Sequence, residues 1–185
     1  MSKISVAPNA SGTANFTIAS PATNTDRTLT LPDNTGTILT SASNTNFPAG
    51  SVLQVVNATS GTQSSTSSTS FVDTSLTATI TPTSSTSKIL VFVSQTGLYK
   101  SGTNSFIKLR LVRGSTTIVA IENEIITTAS TATNAAATST TYLDSPATTS
   151  ATTYKTQIAS AGSAGTIYWN VTDATATITL MEIKA

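Results

Sequence analysis

The sequence of 185 residues contains neither cysteine nor histidine. Without cysteine there is no disulfide framework and no thiol nucleophile, and without histidine no imidazole can transfer protons or bind metals. Charged residues make up only 9% of the chain, whereas about 25% is usual in globular domains. The net charge of +1 is too small and too scattered for binding to nucleic-acid phosphates. These absences exclude thiol and imidazole chemistry and predict that the chain does not bind nucleic acid.

Long apolar runs are missing as well. The first ten residues, MSKISVAPNA, have no apolar centre of the signal-peptide type. No stretch of the sequence approaches the roughly 20 apolar residues that a membrane-spanning helix needs. We therefore expect neither a signal peptide nor membrane insertion.

Hydroxyl residues dominate the composition instead, with 41 threonines and 27 serines. Because threonine is β-branched and fits a pleated, half-exposed position, its abundance predicts strands rather than helices. Serine, threonine and glycine are also common in disordered chains. Here the many valines and isoleucines and the net charge of only +1 argue against disorder.

Strands recur regularly from residue 51 onward. Apolar and polar residues alternate in LTATIT, FIKLRLV, TIYWNV and ATITLMEI, and turn residues separate such segments. Short, evenly spaced strands without a convincing helix predict an all-β domain, a sandwich or antiparallel jelly roll. The nine predicted strands are Val52–Asn57, Phe71–Thr81, Ile89–Gly97, Phe106–Val112, Thr116–Glu122, Ser139–Asp144, Tyr154–Ala159, Thr166–Val171 and Ala176–Ile183.

Three segments of this region have less regular patterns. The run KILVFVS is continuously apolar, which is typical of a strand covered on both faces. Residues Thr127–Ser139 fit either a short helix or a long loop, and we expect the loop because threonine and serine dominate it. The low-complexity stretch Ser60–Ser70 is predicted to be an exposed connection or an irregular edge strand, with a glycan-contacting loop as the alternative.

Residues 1–48 are predicted to form a region separate from residues 49–185, joined by a polar linker that ends in Pro48 and Gly50. The turn Asp33–Gly36 separates short alternating strands with few apolar side chains. Three such strands cannot form a stable core alone. They must therefore pack on another domain or on copies of themselves. The apolar side chains of this region are Phe16, Ile18, Leu29, Leu31, Ile38 and Leu39.

Carboxylates are the remaining candidates for catalysis. Glu122 and Glu124 form the one close pair, two residues apart on a predicted strand, and paired carboxylates suit glycoside hydrolysis. Like charges on an exposed strand are more often a protection of a sheet edge. No phosphate-binding loop and no metal-ligand cluster accompanies the pair. We therefore predict that the chain is not an enzyme and that it has no cofactor or metal.

Aromatic residues are scarce, at 5% of the chain. Tyr168 and Trp169 are neighbours on a predicted strand and must point to opposite faces, so at most one of them lines the core. Exposed tyrosine and tryptophan rings can stack on sugars, although most aromatic side chains lie in cores and subunit interfaces. Tyr99, Tyr142 and Trp169 are accordingly our candidates for surface contact with a glycan.

The segment GTANFTIASPATNTDRTLTLPDNTGTIL, residues Gly12–Leu39, resembles one that recurs in fibre-type structural proteins of tailed bacteriophages. The remainder, including GSVLQVV, TATITPTSSTSKILVFVS and ITLMEIKA, is similar to a C-terminal module of phage virion proteins, especially from aquatic phages. The resemblance covers nearly the whole chain. It implies a homotrimer with a tumour-necrosis-factor-like jelly-roll head, and it carries over no catalytic motif.

With this resemblance, residues 1–48 become an intertwined β stem that anchors the chain in a virion, and the six apolar residues of that region face a three-fold axis. Residues 49–185 become the jelly-roll head. The implied function is that of a tail fibre or receptor-binding protein that attaches to the host surface. A capsid decoration protein or head fibre is the alternative. The implied partners are other virion proteins, bound through the N-terminal region, and a host-surface glycan, and the implied location is the virion after assembly in the host cytoplasm.

Overall fold

Ten strands account for most of the chain that the structure describes. The computed structural model describes residues 11–13, 17, 22, 24–26, 28, 30, 35, 47–125, 129, 132–162 and 165–185. The chain divides into two units, Met1–Thr37 and Ile38–Ala185. The predicted stem core lies outside the described residues, and the predicted boundary at residue 48 stays a prediction. The stem-core residues concerned are Phe16, Ile18, Leu29, Leu31, Ile38 and Leu39.

The strands form two antiparallel sheets, and the described residues contain no helix. In the first sheet the order is β1-β10-β4-β9-β2, and β7 pairs with β4; in the second it is β3-β8-β5-β6. The prediction of an all-β, jelly-roll-like sandwich is confirmed. The strands are β1 (Val52–Ser60), β2 (Ser64–Thr66), β3 (Val72–Ile80), β4 (Lys88–Ser101), β5 (Ser105–Arg113), β6 (Thr116–Ile125), β7 (Ala132–Asp144), β8 (Thr152–Gly162), β9 (Thr166–Trp169) and β10 (Ala176–Ile183).

The inward-facing side chains of the two sheets form two apolar clusters. Alternation places every second residue of a strand on the same face, so the apolar residues of β4 and β10 meet those of β3, β5 and β8 between the sheets. The larger cluster contains Leu76, Ala78, Ile80, Ile89, Val91, Val93, Leu111, Tyr154, Ala176, Ile178 and Leu180. The smaller contains Leu98, Ile107, Leu109, Ile158, Ile167 and Trp169.

A chain of buried polar side chains joins the two sheets. Thr156 Oγ1 donates a hydrogen bond to Gln95 Oε1 at 3.1 Å, and Gln95 Nε2 donates to Asn170 Oδ1 at 3.2 Å. Asn170 Nδ2 donates a hydrogen bond to Ser60 Oγ at 3.3 Å, and the hydroxyls of Thr74 and Thr156 share a hydrogen bond. A register slip would leave several of these buried groups unpaired, so this set of hydrogen-bonded side chains specifies the alignment of the strands.

Gly97 marks an irregularity in the middle of β4. Its φ of +59° is a conformation that glycine adopts readily. Residues Ile89, Val91 and Val93 face the core before it, whereas Leu98 faces the core after it, so the inward set shifts by one residue at this point. The alternation of inward-facing and outward-facing residues along β4 is therefore interrupted by a bulge.

The strand predictions succeed for the apolar segments and fail for one polar segment. The strand predicted at Ala176–Ile183 is confirmed with the same bounds, and the other eight overlap their observed counterparts. The loop expected over Thr127–Ser139 is wrong, because β7 begins at Ala132. There β4 supplies the backbone hydrogen-bond partners that a run of small residues needs to remain extended. The stretch Ser60–Ser70 contains β2, a three-residue strand at the end of the first sheet, in agreement with the expected irregular edge strand.

Candidate interaction surface

The outer face of the first sheet carries a row of aliphatic side chains across four strands. The register of the sheet aligns Val55 of β1 with Met181 of β10, Leu90 of β4 and Leu143 of β7. All of these residues point away from the core, because their sequence neighbours are the inward-facing positions. Three further residues extend the row on the same face. We call the whole set the apolar face; it consists of Val52, Val55, Leu90, Phe92, Leu143, Met181 and Ile183.

The apolar face is accessible to solvent in the single chain. Val55 is 55% exposed, Val52 51%, Leu143 49% and Phe92 39%. These are four of the five exposed large hydrophobic side chains among the described residues. The prediction that KILVFVS is covered on both faces is therefore wrong for the single chain, since Ile89, Val91 and Val93 line the core while Phe92 lies on the outside.

The rest of this outer face is polar but almost uncharged. Apart from Phe92, the next two rows across the sheet consist of hydroxyl and amide residues. Lys88, at the end of β4, is the one charged residue that the described strands place on the face. Charged residues are usual on a solvated sheet surface, so this face differs from an ordinary one. The polar rows contain Asn57, Thr59, Ser94, Ser139, Thr141, Thr177 and Thr179.

Two tyrosines lie on the same outer side, near the far end of β4. Tyr99 and Tyr168 occupy paired positions on β4 and β9, and their ring centroids are 5.3 Å apart at an interplanar angle of 56°. Both are half-buried. The surface-contact role of Tyr99 stays a prediction. Tyr168 is not among the predicted contact residues, although alternation places it on the face opposite to Trp169.

The surface contact predicted for Trp169 is wrong. Its side chain is 2% exposed, it belongs to the smaller core cluster, and its Nε1–H donates to the Thr74 carbonyl oxygen at 2.9 Å. The inward side of β9 offers both an apolar environment and an acceptor for the indole N–H, which a buried tryptophan needs. Tyr142 is half-buried and packs against the larger core cluster, so its contact role also stays a prediction.

The outer face of the second sheet has a different chemistry. Asp73 accepts hydrogen bonds from Lys155 Nζ at 2.7 Å and from Gln157 Nε2 at 2.8 Å. Arg110 Nη2 donates to Gln157 Oε1 at 2.7 Å, and its guanidinium lies 3.9 Å from the ring centroid of Phe71. The hydrogen bond from Lys155 holds the pKa of Asp73 below its usual value. Asp73, Arg110, Lys155 and Gln157 thus have interaction partners within the chain.

Buried carboxylates have structural partners. Asp144 Oδ2 accepts hydrogen bonds from Arg113 Nη1 at 2.5 Å and from the Tyr154 hydroxyl at 2.7 Å. Burial, followed by the hydrogen bond to Asp144, raises the pKa of Tyr154 far above its usual value. Burial and this hydrogen bond therefore keep the tyrosine protonated and bound to the carboxylate.

Glu182 is the second buried carboxylate, on the inward side of β10. Its carboxylate accepts from Gln54 Nε2 at 2.6 Å and from both the backbone N–H and the hydroxyl of Thr83 at 2.7 Å. Burial opposes its ionisation, but these hydrogen bonds outweigh burial and hold the pKa of Glu182 below its usual value. The residue joins β1, β10 and the segment after β3.

Glu122 and Glu124 are exposed on β6, which forms one edge of the second sheet. The pairing of β6 with β5 shifts register at three points. Exposed charges and bulges on an edge strand hinder pairing with other chains, which supports the edge-protection interpretation of this pair. Within the described ranges no group of three acidic residues could hold a metal ion, and no helix is long and apolar enough to cross a membrane.

The chain has a remote structural likeness to a known protein. No protein-family model matches the chain, and no curated protein matches it. Among solved structures, the VP2 subviral particle of infectious bursal disease virus is similar with a TM-score of 0.40 and 14% identity. The match covers 73% of this chain and 38% of that one, so the chain spans well under half the length of VP2. A likeness at this level carries no argument about function.

Proposed function

We propose that this chain is a structural protein of a virus particle, a short fibre of a tailed bacteriophage. The observation that carries the proposal is the combination of the fibre-type segment Gly12–Leu39 with a jelly-roll-like sandwich in the following residues. The resemblance of the sequence to phage virion proteins implies such a head.

The surface of the sandwich is suited to a structural subunit of a larger assembly. One outer face is partly apolar and carries one charged residue in its described strands, Lys88, whereas the other has an ion pair and hydrogen bonds between its own side chains. Apolar area that remains accessible in a single chain is typical of protein–protein contacts. The carboxylates with buried partners, Asp144 and Glu182, act as hydrogen-bond acceptors within the fold. The absence of enzymatic activity stays a prediction.

More specifically, we propose a homotrimeric tail fibre or receptor-binding protein that is anchored through residues 1–48 and attaches to the host surface through the sandwich. The tyrosine pair Tyr99 and Tyr168 supplies aromatic surface of the kind on which sugar rings stack. A host-surface glycan is therefore the partner that we expect for this end of the domain.

Adsorption experiments test this assignment. The purified full chain should bind host cells by itself and should reduce adsorption of the phage that encodes it. Antibodies raised against the chain should label the tail of the purified particle. Labelling of the capsid, together with binding to purified capsids and no binding to cells, would contradict the receptor-binding role and would identify a decoration protein or head fibre. Release of sugars from host polysaccharide would contradict the structural role itself.

A further inference from the structure

We propose that the apolar face of the first sheet is the surface through which copies of this chain contact one another. The inference rests on the proposed function for the identity of the occupant, since a fibre is built from copies of one chain. Its experimental test is independent of the attachment to a particle. The face is the set Val52, Val55, Leu90, Phe92, Leu143, Met181 and Ile183, with the uncharged polar rows beside it.

The lack of charge favours a copy of the chain over a nucleic acid or an anionic lipid surface. Around a rotation axis, a residue near the axis lies close to the same residue of the other copies, so a charge there meets a like charge. A face of aliphatic and hydroxyl side chains avoids this repulsion. A nucleic acid or an anionic lipid surface would instead be recognised by clustered lysines and arginines, and Lys88 is the one such residue of the described face.

The composition of the face fits a protein interface. Its aliphatic row crosses four strands near one end of the sheet, where β4 begins and β7 ends, and hydroxyl residues follow on one side, so an apolar area borders a polar one as in protein interfaces. Phe92 adds an aromatic side chain next to the row, on the central strand β4. Burial of these half-exposed side chains would stabilise the assembly by the removal of apolar area from water.

The size of the face is also appropriate. Four strands that lie about 4.8 Å apart and extend for about eight residues cover roughly 500 Å² of plane, before the relief of the side chains is counted. A standard protein–protein interface buries about 800 Å² on each partner. The face therefore provides most of the area that one copy contributes to one such interface.

A solution-mass experiment on the full chain tests the proposal with a matched pair of variants. The wild-type chain should give a mass near 57 kDa, three times the 18.9 kDa of one chain, in light scattering on a sizing column. Val55→Glu places a charge in the aliphatic row and should shift the mass towards that of the single chain. Ala120→Glu places the same charge on an exposed position of β6, opposite Arg110, and should leave the assembly intact. A Val55→Glu variant with unchanged mass and thermal stability would overturn the proposal.

A thiol-labelling experiment covers the case in which Val55→Glu does not fold. Because the chain has no cysteine, Val55→Cys and Ala120→Cys each introduce a single thiol. Both positions are exposed in the single chain. In the assembly, a maleimide should modify Val55→Cys about ten-fold more slowly than Ala120→Cys, because labelling requires the copies to open. Equal labelling rates in an intact assembly would overturn the proposal.

The outcomes separate this inference from the proposed function. A wild-type chain that remains at the mass of one chain at all concentrations overturns self-association, although it can still bind a particle or a cell. An assembled chain that binds neither particle nor cell contradicts the fibre function while the labelling result still identifies the interface.

Discussion

The outer faces of the two sheets both consist of alternating strands, but their side chains differ in whether they have partners within the chain. On the second sheet, Asp73 and Lys155 form an ion pair and Arg110 covers the ring of Phe71. These side chains therefore have their interaction partners within one chain. On the first sheet, Val55 and Leu143 are about half exposed, and the described chain contains nothing that covers them. An outer sheet face in water is usually polar. The comparison indicates that one sheet faces solvent and that the other is suited to a protein partner.

The largest effect is expected from Gly97→Ala, which disturbs the bulge of β4 in the first sheet. A Cβ at this residue would lie 2.6 Å from the backbone nitrogen of Val171, and φ is +59°. Backbone strain and the clash together should reduce the free energy of unfolding by about 3 kcal/mol or more. Gly114, after β5 in the second sheet, has the same φ but no atom within 4 Å of its Cβ position. Gly114→Ala should therefore lose only about 1 kcal/mol.

Urea unfolding of both glycine variants, followed by circular dichroism, checks this difference. The comparison of midpoints separates the clash from the cost of the positive φ, since only the clash differs between the two positions. Equal losses in the two variants would mean that the segment around Val171 moves aside without cost.

The next largest effect is a loss of stability in acid, caused by two carboxylates with lowered pKa values. Glu182 lies on the inward face of the first sheet, and Asp73 lies on the outer face of the second. A pKa that is lower in the folded state stabilises the fold above the ordinary pKa, and this contribution is lost as the pH falls through the folded value. The thermal midpoint should therefore decrease below about pH 4.5, the ordinary value for a glutamic acid.

Substitution of each carboxylate assigns this acid dependence to one sheet. Glu182→Gln turns amide hydrogens towards the donors of Gln54 and Thr83, and it should reduce the free energy of unfolding at neutral pH by about 2 kcal/mol. The thermal midpoint of this variant should also change less with pH between about pH 3 and 5, the range around the reference carboxyl pKa of about 4. Asp73→Asn should change both quantities less, because its side chain is 52% exposed. A reversed order would mean that the surface ion pair dominates.

A smaller effect is expected from Arg110→Ala on the outer face of the second sheet. The variant loses the hydrogen bonds to Gln157 and the contact with the Phe71 ring. Exposed interactions of this kind contribute about 0.5–1 kcal/mol each. Denaturation should show a loss of this order, with no change in solution mass. A change in mass would place the second sheet in the interface between copies. It would contradict the inference that the second sheet faces solvent.

The smallest effect is expected from the double variant Glu122→Gln, Glu124→Gln. Both side chains are exposed on the edge strand β6, so their neutralisation should leave the midpoint of unfolding and binding to cells or particles unchanged. Slow aggregation on storage is the one property that should increase, because the edge loses its charges. A large loss of binding would mean that the pair belongs to a functional site.

The alternation of residues was sufficient to predict most of the fold but only part of the candidate surface. It predicted the strand Ala176–Ile183 with its observed bounds, and it placed Tyr168 and Trp169 on opposite faces. It failed for residues from Ala132 onward, where a run of small and hydroxyl residues has no strong pattern and pairing with β4 produces the strand. Local preference is weak in such a run, and the neighbouring strand determines its conformation.

The amino-acid sequence by itself determined that this protein is all-β, that its strands have two chemically distinct faces, and that thiol and imidazole chemistry are absent. Only the tertiary structure decided which faces meet in the core. It brought Val55, Met181, Leu90 and Leu143 from four distant segments into one row, and it buried Trp169 rather than Tyr168. The physical reason is that alternation is a local property with a period of two residues, whereas burial depends on the layer that packs against each face.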